Sequence, residues 1–300
     1  MRISEGPAAG CRRLFLALGA VAVMNGAGAA QDAAFLSQFH SFVPAGPMAE
    51  LAPVRKAATA AGKAMLDGLV AYRSQRYAEA LGNFEKAVRG GEPLAAWYLG
   101  EMYRLGRGVA ASPARAIGFY QQVARVYDPN EPRPQVLSLC VDAVARLGDY
   151  YRDGVENVLA ADPERAYRLY ALAASHGHPG AQYGLATMYL RGLGLKRNPT
   201  QGFKWLSLAA GKRYVPAQIL LGDLYREGDI VGQDRSRAIM WYMLAGQTAR
   251  PEAQPQVSAR LEFVVSEASP SEREAGEARA TRWTRKNGFA ATAPVPADAE

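Results

Sequence analysis

The chain has 300 residues, 49% of them hydrophobic, and a formal charge of +7 at pH 7. This composition supports a folded core and excludes disorder throughout the chain, and no apolar run is long enough for a membrane-spanning helix. Because the arginines are spread along the chain, the charge pattern does not predict a nucleic-acid-binding stripe.

The N-terminus has the features of a signal peptide. Arg12 and Arg13 precede the apolar run LFLALGAVAV, which is followed by small residues that include an A-x-A site. This arrangement predicts a signal peptide over residues 1–30, with a retained anchor or an N-terminal core helix as the alternative. Cleavage would leave a flexible segment over residues 31–53, no membrane span, and Cys140 as a single buried cysteine that cannot form an internal disulfide.

Four stretches in the middle of the chain share one pattern. Each begins with Leu and a small residue, has Tyr at the fifth position, and has Gly three residues later. The Leu, the apolar fourth residue and the Tyr lie on one face of a helix, and the Gly suits a left-handed helix end. The stretches are LGEMYRLG from Leu99, LGDYYRDG from Leu147, LATMYLRG from Leu185 and LGDLYREG from Leu221.

A second type of helix is predicted after each of these stretches. It begins with a residue that can cap free backbone amides, and in three of four cases Pro follows at the first helical position. It also carries a small residue, and these recur at spacings of 50, 36 and 36, with Ala80 another 36 residues earlier. The caps are Ser112, Asp162, Asn198 and Asp234, and the small residues are Ala116, Ala166, Gly202 and Ala238.

The repeats predict an all-α fold, a right-handed solenoid of about five antiparallel helix pairs over residues 54–250. Units of this size cannot bury their apolar faces alone, so they stack. Two amphipathic helices over residues 251–287 are expected to cap the last repeat, with a capping-box sequence from Ser269 to Glu272 between them. We expect residues 288–300 to form a disordered tail.

Two of the three histidines, His176 and His178, lie one residue apart in the stretch AASHGHPGAQYGLATMY. A zinc site, a catalytic pair and a structural joint are the alternatives. The joint of the next repeat has Lys212 and Arg213 in the corresponding place, and a metal site needs further ligands. The structural interpretation is therefore favoured, and the sequence predicts no catalytic residue, no metal site and no cofactor, hence no enzyme.

These motifs resemble Sel1-like repeats, which are related to the tetratricopeptide class. The shared elements are Leu-Gly-x-Met-Tyr, Gly-x-Gly, Ala-x-x-Trp-Tyr and Ala-Ala-x-x-Gly-His, which recur in register from about Met65 to Gln247. The resemblance implies a helical solenoid that binds other proteins.

The joint between the second and third repeats is long and Pro-rich, VYDPNEPRPQVLSLCVDAVARLGDYY. With this insertion and the first repeat GLVAYRSQRYAEALGNFEKAV, the chain resembles the periplasmic exopolysaccharide regulators of alphaproteobacteria, the ExoR family. That resemblance implies a periplasmic negative regulator that binds the periplasmic part of a membrane sensor histidine kinase. The alternative is a cell-envelope scaffold or assembly factor without a signalling role.

The first helix of each repeat carries the candidate partner-binding residues. In related solenoids these helices line the concave side, and three of the four stretches have an acid at the third position and Arg three residues later. Such pairs stabilise a helix by about 0.2–0.5 kcal/mol each, which is too little to hold the fold. We therefore expect them to orient a partner, with solubility as the alternative role. Thr187 and Leu190 interrupt the row and predict an apolar gap for an anchor side chain of the partner. The full set is Glu101, Arg104, Asp149, Arg152, Thr187, Leu190, Asp223 and Arg226.

Overall fold

The computed structural model describes residues 58–287, and this part of the chain is helical. Within it there are twelve α-helices and no strand, only an isolated bridge between Val155 and Leu159. The predicted signal peptide, the segment over residues 31–53 and the tail over residues 288–300 lie outside the described residues. The helices are α1 (Ala58–Arg73), α2 (Tyr77–Arg89), α3 (Pro93–Leu105), α4 (Pro113–Ala124), α5 (Pro134–Asp153), α6 (Pro163–Ser175), α7 (Pro179–Arg191), α8 (Pro199–Gly211), α9 (Val215–Glu227), α10 (Arg235–Gly246), α11 (Gln254–Glu267) and α12 (Pro270–Lys286).

The helix ends follow the local sequence as predicted. Each of the four predicted N-cap side chains accepts a hydrogen bond from the backbone N–H three residues later. The glycine that ends each first helix has a φ between 68° and 83°, which a residue with a Cβ rarely adopts. The capping box between Ser269 and Glu272 is also present. The residues with these φ values are Gly106, Gly154, Gly192 and Gly228.

The described part of the chain divides into two compact units, with the boundary between Leu147 and Gly148 inside α5. In the first unit, α1 packs on α2, α2 on α3 and α3 on α4. In the second, each helix from α6 to α10 packs on the next, and α11 and α12 both pack on α10. Short turns make neighbouring helices antiparallel. The predicted all-α fold of stacked helix pairs is confirmed.

The first helix pair, α1 with α2, is the repeat whose sequence departs most from the pattern. Its core holds Ala80 and Phe84, both fully buried, with Leu99 from the following helix. Many buried positions in all the pairs are alanine. A small side chain lets two helices approach closely, so the alanines keep the stacking tight.

The long joint before α5 is folded rather than open. Asp128 accepts a hydrogen bond from the Asn130 backbone N–H, and Glu131 pairs with Arg133 at 2.7 Å. The helix that follows has 20 residues, against 13 in α3, α7 and α9. Part of the insertion therefore extends α5 at its N-terminus.

Cys140 is buried in α5 with 1% of its surface exposed, as predicted. Burial raises the pKa of its thiol to about 11. The thiolate is the reactive form of cysteine, so this residue is an inert part of the core. None of the described helices combines the length and apolar character needed to cross a bilayer.

Candidate partner-binding site

Three repeats bury a tyrosine of the second helix against the first helix. Tyr120 on α4, Tyr170 on α6 and Tyr242 on α10 are fully buried. Each ring lies on a glycine of the paired helix, where a Cβ would come within 2.4–2.8 Å of a ring atom. Only glycine leaves room for the ring at this spacing. These glycines are Gly100, Gly148 and Gly222.

The residue after each of these glycines is the acid at the third position of the repeated stretch, and it accepts a hydrogen bond from the buried tyrosine hydroxyl. A buried hydroxyl without a partner costs about 1–3 kcal/mol. The acids therefore have an internal role, which their spacing along the helix did not predict. The pairs are Tyr120 with Glu101 at 2.6 Å, Tyr170 with Asp149 at 2.7 Å and Tyr242 with Asp223 at 2.7 Å.

Glu101 is the most enclosed of the three acids, with 8% of its side chain exposed. Arg104 donates to both of its carboxylate oxygens, at 3.0 and 2.6 Å, and Arg146 of α5 lies 3.4 Å away. Burial by itself raises the pKa of this carboxyl, but the hydrogen bonds from Arg104 and Tyr120 and the charge of Arg146 leave it below the usual value. Glu101 is thus an ionised, internally paired group rather than half of an exposed surface pair.

Asp149 is the most accessible acid of the three, with 47% of its side chain exposed. Arg152 lies 3.8 Å from Asp149 and makes its two closest contacts, 2.7 and 2.6 Å, with Asp153 instead. Its guanidinium also lies 5.9 Å from the centre of the Tyr170 ring. Asp149 is therefore the charge of the candidate set that a partner can reach most readily.

Two side chains of α11 contact Asp223 and Arg226. Arg260 of that helix donates to Asp223 at 3.1 Å, and the Arg226 guanidinium lies 5.4 Å from the centre of the Phe263 ring. Arg226 also donates to Glu227 at 2.7 Å. The helix that follows the last repeat thus contacts Asp223 and Arg226, the last two residues of the candidate set.

The α7–α8 repeat differs at the same positions. Leu206 occupies the place of the tyrosine, and Ala186 that of the glycine beneath it. Thr187 is 8% exposed, and its hydroxyl donates to the Gly184 carbonyl at 2.8 Å. Leu190 is half-buried and packs on Gly202, where a Cβ would come within 2.7 Å of its side chain. The gap expected between charged pairs is filled from within the repeat.

The eight candidate residues thus lie largely at contacts between helices, where a row of exposed pairs was expected. Their proposed role in partner binding stays a prediction. The sequence does contain the missed signal: the acid is present in the repeats that have Tyr in the second helix and absent from the repeat that has Leu.

The two histidines lie at the joint between α6 and α7. His178 Nδ1 accepts a hydrogen bond from the Ala181 backbone N–H at 3.1 Å and so caps α7. His176 follows the end of α6, and burial lowers the pKa of its imidazole. Lys212 of the next joint donates to the Gly177 carbonyl. Within residues 58–287 no three His, Cys, Asp or Glu side chains form a group that could hold a metal ion.

Comparison with known proteins identifies the repeats. The Sel1 repeat model matches residues 93–125, 141–178, 179–212 and 215–247. The chain is a Sel1-repeat protein. The four matched Sel1 repeats correspond to the pairs that begin with α3, α5, α7 and α9, and the pair formed by α1 and α2 precedes them.

Two curated relatives share part of the Sel1-repeat chain. It is 35% identical over 142 residues to the exopolysaccharide production negative regulator of Rhizobium meliloti (strain 1021), covering 47% of this chain and 52% of that protein. It is 32% identical over 142 residues to the protein of the same name from Rhizobium leguminosarum bv. viciae, with the same coverage. The matched region thus spans about half the length of these relatives.

The solved structures support the Sel1-repeat fold. A Sel1 repeat protein from Oxalobacter formigenes superposes with a TM-score of 0.57 at 22% identity, covering 78% of this chain and 89% of that one. At this level of identity the likeness concerns the fold alone.

Proposed function

We propose that this protein is a periplasmic, protein-binding solenoid that acts as a negative regulator of exopolysaccharide production. The observation that carries the proposal is the 35% identity over 142 residues to a protein named for that role. The periplasmic location is supported by the signal-peptide pattern that precedes the repeats.

The side-chain chemistry of the repeats favours binding over catalysis. The tyrosine hydroxyls and the third-position acids hold paired helices together, and His178 caps a helix. A stack of such repeats offers an extended surface on which a partner makes many contacts at once. We infer that the partner is the periplasmic part of a membrane sensor histidine kinase and that binding keeps the kinase inactive.

Genetics in the source bacterium tests the regulatory role. Deletion of the gene is expected to raise exopolysaccharide output. Expression of the full chain in trans is expected to lower the output again to the level of the unmodified strain. A version that lacks residues 1–30 is the matched control, because it remains in the cytoplasm and cannot reach a periplasmic partner. Unchanged exopolysaccharide in the deletion strain would contradict the proposal.

Affinity capture tests the partner. The chain, tagged at its C-terminus, is cross-linked in intact cells, and retained proteins are identified by mass spectrometry. A sensor kinase as the main partner is the expected result. Envelope enzymes or wall fragments without a kinase would instead indicate a cell-envelope scaffold.

One variant connects the capture to the candidate set. Asp149→Asn removes an exposed charge but keeps an oxygen that accepts from Tyr170. We expect it to reduce capture of the kinase while the chain stays folded, with a melting temperature lowered only slightly, because the bond from Tyr170 becomes a neutral one. Asp67→Asn, an exposed acid on α1, is the matched control. Full capture by Asp149→Asn would exclude this charge from the binding surface.

A further inference from the structure

One segment carries all of the excess positive charge of the chain. Residues 165–222 contain eight Lys and Arg residues and no Asp or Glu. Since the whole chain has a charge of +7, the remaining 242 residues together carry −1. The basic residues are Arg165, Arg168, Arg191, Lys196, Arg197, Lys204, Lys212 and Arg213.

Several positions in this segment have neutral or basic residues where the equivalent positions of neighbouring repeats have acids. Thr187 stands where α3, α5 and α9 have Glu or Asp. Asn198 caps α8 where Asp caps α6 and α10. Arg191 stands at the place of Asp153 in α5 and Glu227 in α9, which reverses the sign. The buried Leu206 has no hydroxyl, so the repeat tolerates the loss of the acid that would accept from one.

The solvent side of α8 collects these charges in a line. Thr200, Lys204, Leu208 and Lys212 are exposed and four residues apart, so they are neighbours along one face. This line is about 18 Å long, at the rise of an α-helix. Leu208 lies in its middle with 45% of its surface exposed. Lys196 and Arg197 are also exposed and lie in the turn just before this helix; we call the set Lys196, Arg197, Lys204, Leu208 and Lys212 the basic stripe.

The helices packed on α8, which are α7 and α9, bring few carboxylates to the basic stripe. Glu164, at the start of α6, lies beside the turn that holds Lys196 and Arg197, since its backbone nitrogen is 3.1 Å from the place of a Cβ on Gly194. Helix α7 contains no acid, and the acids of α9 are in its last two turns. Of these, Asp223 accepts from Tyr242 and Arg260, and Glu227 accepts from Arg226.

We propose that the basic stripe docks an acidic polypeptide segment of the partner, with an apolar side chain of that segment packed on Leu208. The proposal rests on the proposed function in taking the partner to be a protein. Charge complementarity supports the acidic character, because a line of exposed cations attracts and orients an anionic chain. The exposed leucine within the stripe favours a polypeptide over an anionic polysaccharide, which has no apolar side chain to place there.

Binding of a defined peptide tests the proposal. The probe is a fluorescein-labelled, glutamate-rich peptide of 12 residues with one central leucine, and Kd is measured by fluorescence anisotropy at two salt concentrations. Lys196→Glu with Lys204→Glu is expected to weaken binding by about tenfold and to reduce its salt dependence. Leu208→Ser is expected to weaken binding several-fold and to leave the salt dependence unchanged.

The matched control is Lys63→Glu with Lys86→Glu, which makes the same charge change at exposed lysines of α1 and α2. It is expected to change Kd by less than about twofold. An equal loss in the control, or no peptide binding by the unmodified chain at low salt, would overturn the proposal. All five substituted side chains are exposed, and melting curves show whether each variant is folded.

Two further measurements separate the alternatives. If polygalacturonate binds more tightly than the peptide and is insensitive to Leu208→Ser, the stripe is a polysaccharide site and the proposal is wrong. If the Lys196→Glu, Lys204→Glu variant still captures a sensor kinase in full, the docking proposal fails and the regulatory function stands. If the peptide binds as expected but no kinase is captured by any variant, the partner assignment fails and the acidic docking surface stands.

Discussion

The α9–α10 repeat and the α7–α8 repeat have first helices of equal length and the same cap positions, yet they fill their cores differently. The α9–α10 repeat buries Tyr242, which lies on Gly222 and donates to Asp223. The α7–α8 repeat buries Leu206 instead and has Ala186 and Thr187 at the places of Gly222 and Asp223. Three positions on two helices therefore change together, because ring size and hydroxyl chemistry are satisfied across the pair.

The α1–α2 pair separates these two requirements. Its buried ring is Phe84, which still lies on a glycine, Gly68, with 2.7 Å to a Cβ placed there. Phenylalanine has no hydroxyl, and the next residue is Leu69 rather than an acid. The ring requires the glycine, whereas the hydroxyl requires the carboxylate.

The largest effect is expected at a position that the two repeats share. Leu185 and Leu221 open the repeated stretches of α7 and α9 and are 2% and 1% exposed. Leu→Ala at either is expected to lower the free energy of unfolding by about 2–5 kcal/mol, because it leaves a cavity. Urea denaturation measures this, with Leu208→Ala at an exposed site as the control. Clearly unequal losses would show that the two cores are not equivalent.

The hydroxyl contact should distinguish the repeats. Tyr242→Phe is expected to cost about 1.5–3 kcal/mol, since it removes a hydrogen bond to a charged acceptor. Thr187→Val in the other repeat is expected to cost about 1 kcal/mol or less, since it removes a neutral one. A double-mutant cycle of Tyr242→Phe with Asp223→Asn measures the coupling. Additive free-energy changes would mean that the hydroxyl and the acid act independently.

Gly→Ala is expected to destabilise the fold at the glycine beneath the ring and to stabilise it at an open helix position. Gly222→Ala is expected to cost about 1–3 kcal/mol, because the new Cβ would lie 2.4 Å from the Tyr242 ring. Gly118→Ala, on α4 with no atom within 4 Å of the added Cβ, is expected to stabilise by about 0.5–1 kcal/mol. Thermal unfolding of both variants decides the matter. Stabilisation by Gly222→Ala would show that the ring has space to move.

Transfer of the tyrosine set into the α7–α8 repeat tests whether the three positions form a unit. Leu206→Tyr alone is expected to cost about 1–3 kcal/mol by overpacking against Ala186. The triple variant with Ala186→Gly and Thr187→Asp is expected to recover about 1 kcal/mol or more of that loss. A triple variant less stable than the single one would show that the context beyond these three residues decides the choice.

The smallest expected effect is a pH dependence of the unfolding free energy that comes from Glu101. The folded-state pKa of Glu101 is lowered, so its contribution to stability is present above the unfolded-state pKa of about 4.3. It is lost as the pH falls through the lower, folded-state pKa. Unfolding free energies between pH 6 and pH 2 are expected to fall less steeply for Glu101→Gln than for the unmodified chain. Parallel curves would mean that other groups account for the acid sensitivity.

Much of the fold was predictable because its signals are local. The caps and the helix-ending glycines each act within one turn of their own position, and the structure has them as expected. The role of the acids was not predictable from helix spacing alone. Arg three residues after an acid predicts an exposed pair, yet Glu101 is bonded to Tyr120, which lies 19 residues away.

The sequence by itself determined where helices begin and end and how many pairs are stacked, since backbone amides and left-handed glycines are satisfied by near neighbours. Only the tertiary structure decided which polar groups are internal. Asp223 is close to Arg260 because α11 folds back onto the last repeat, 37 residues along the chain. A carboxylate takes the nearest good donor in space, and that donor depends on how the helices pack.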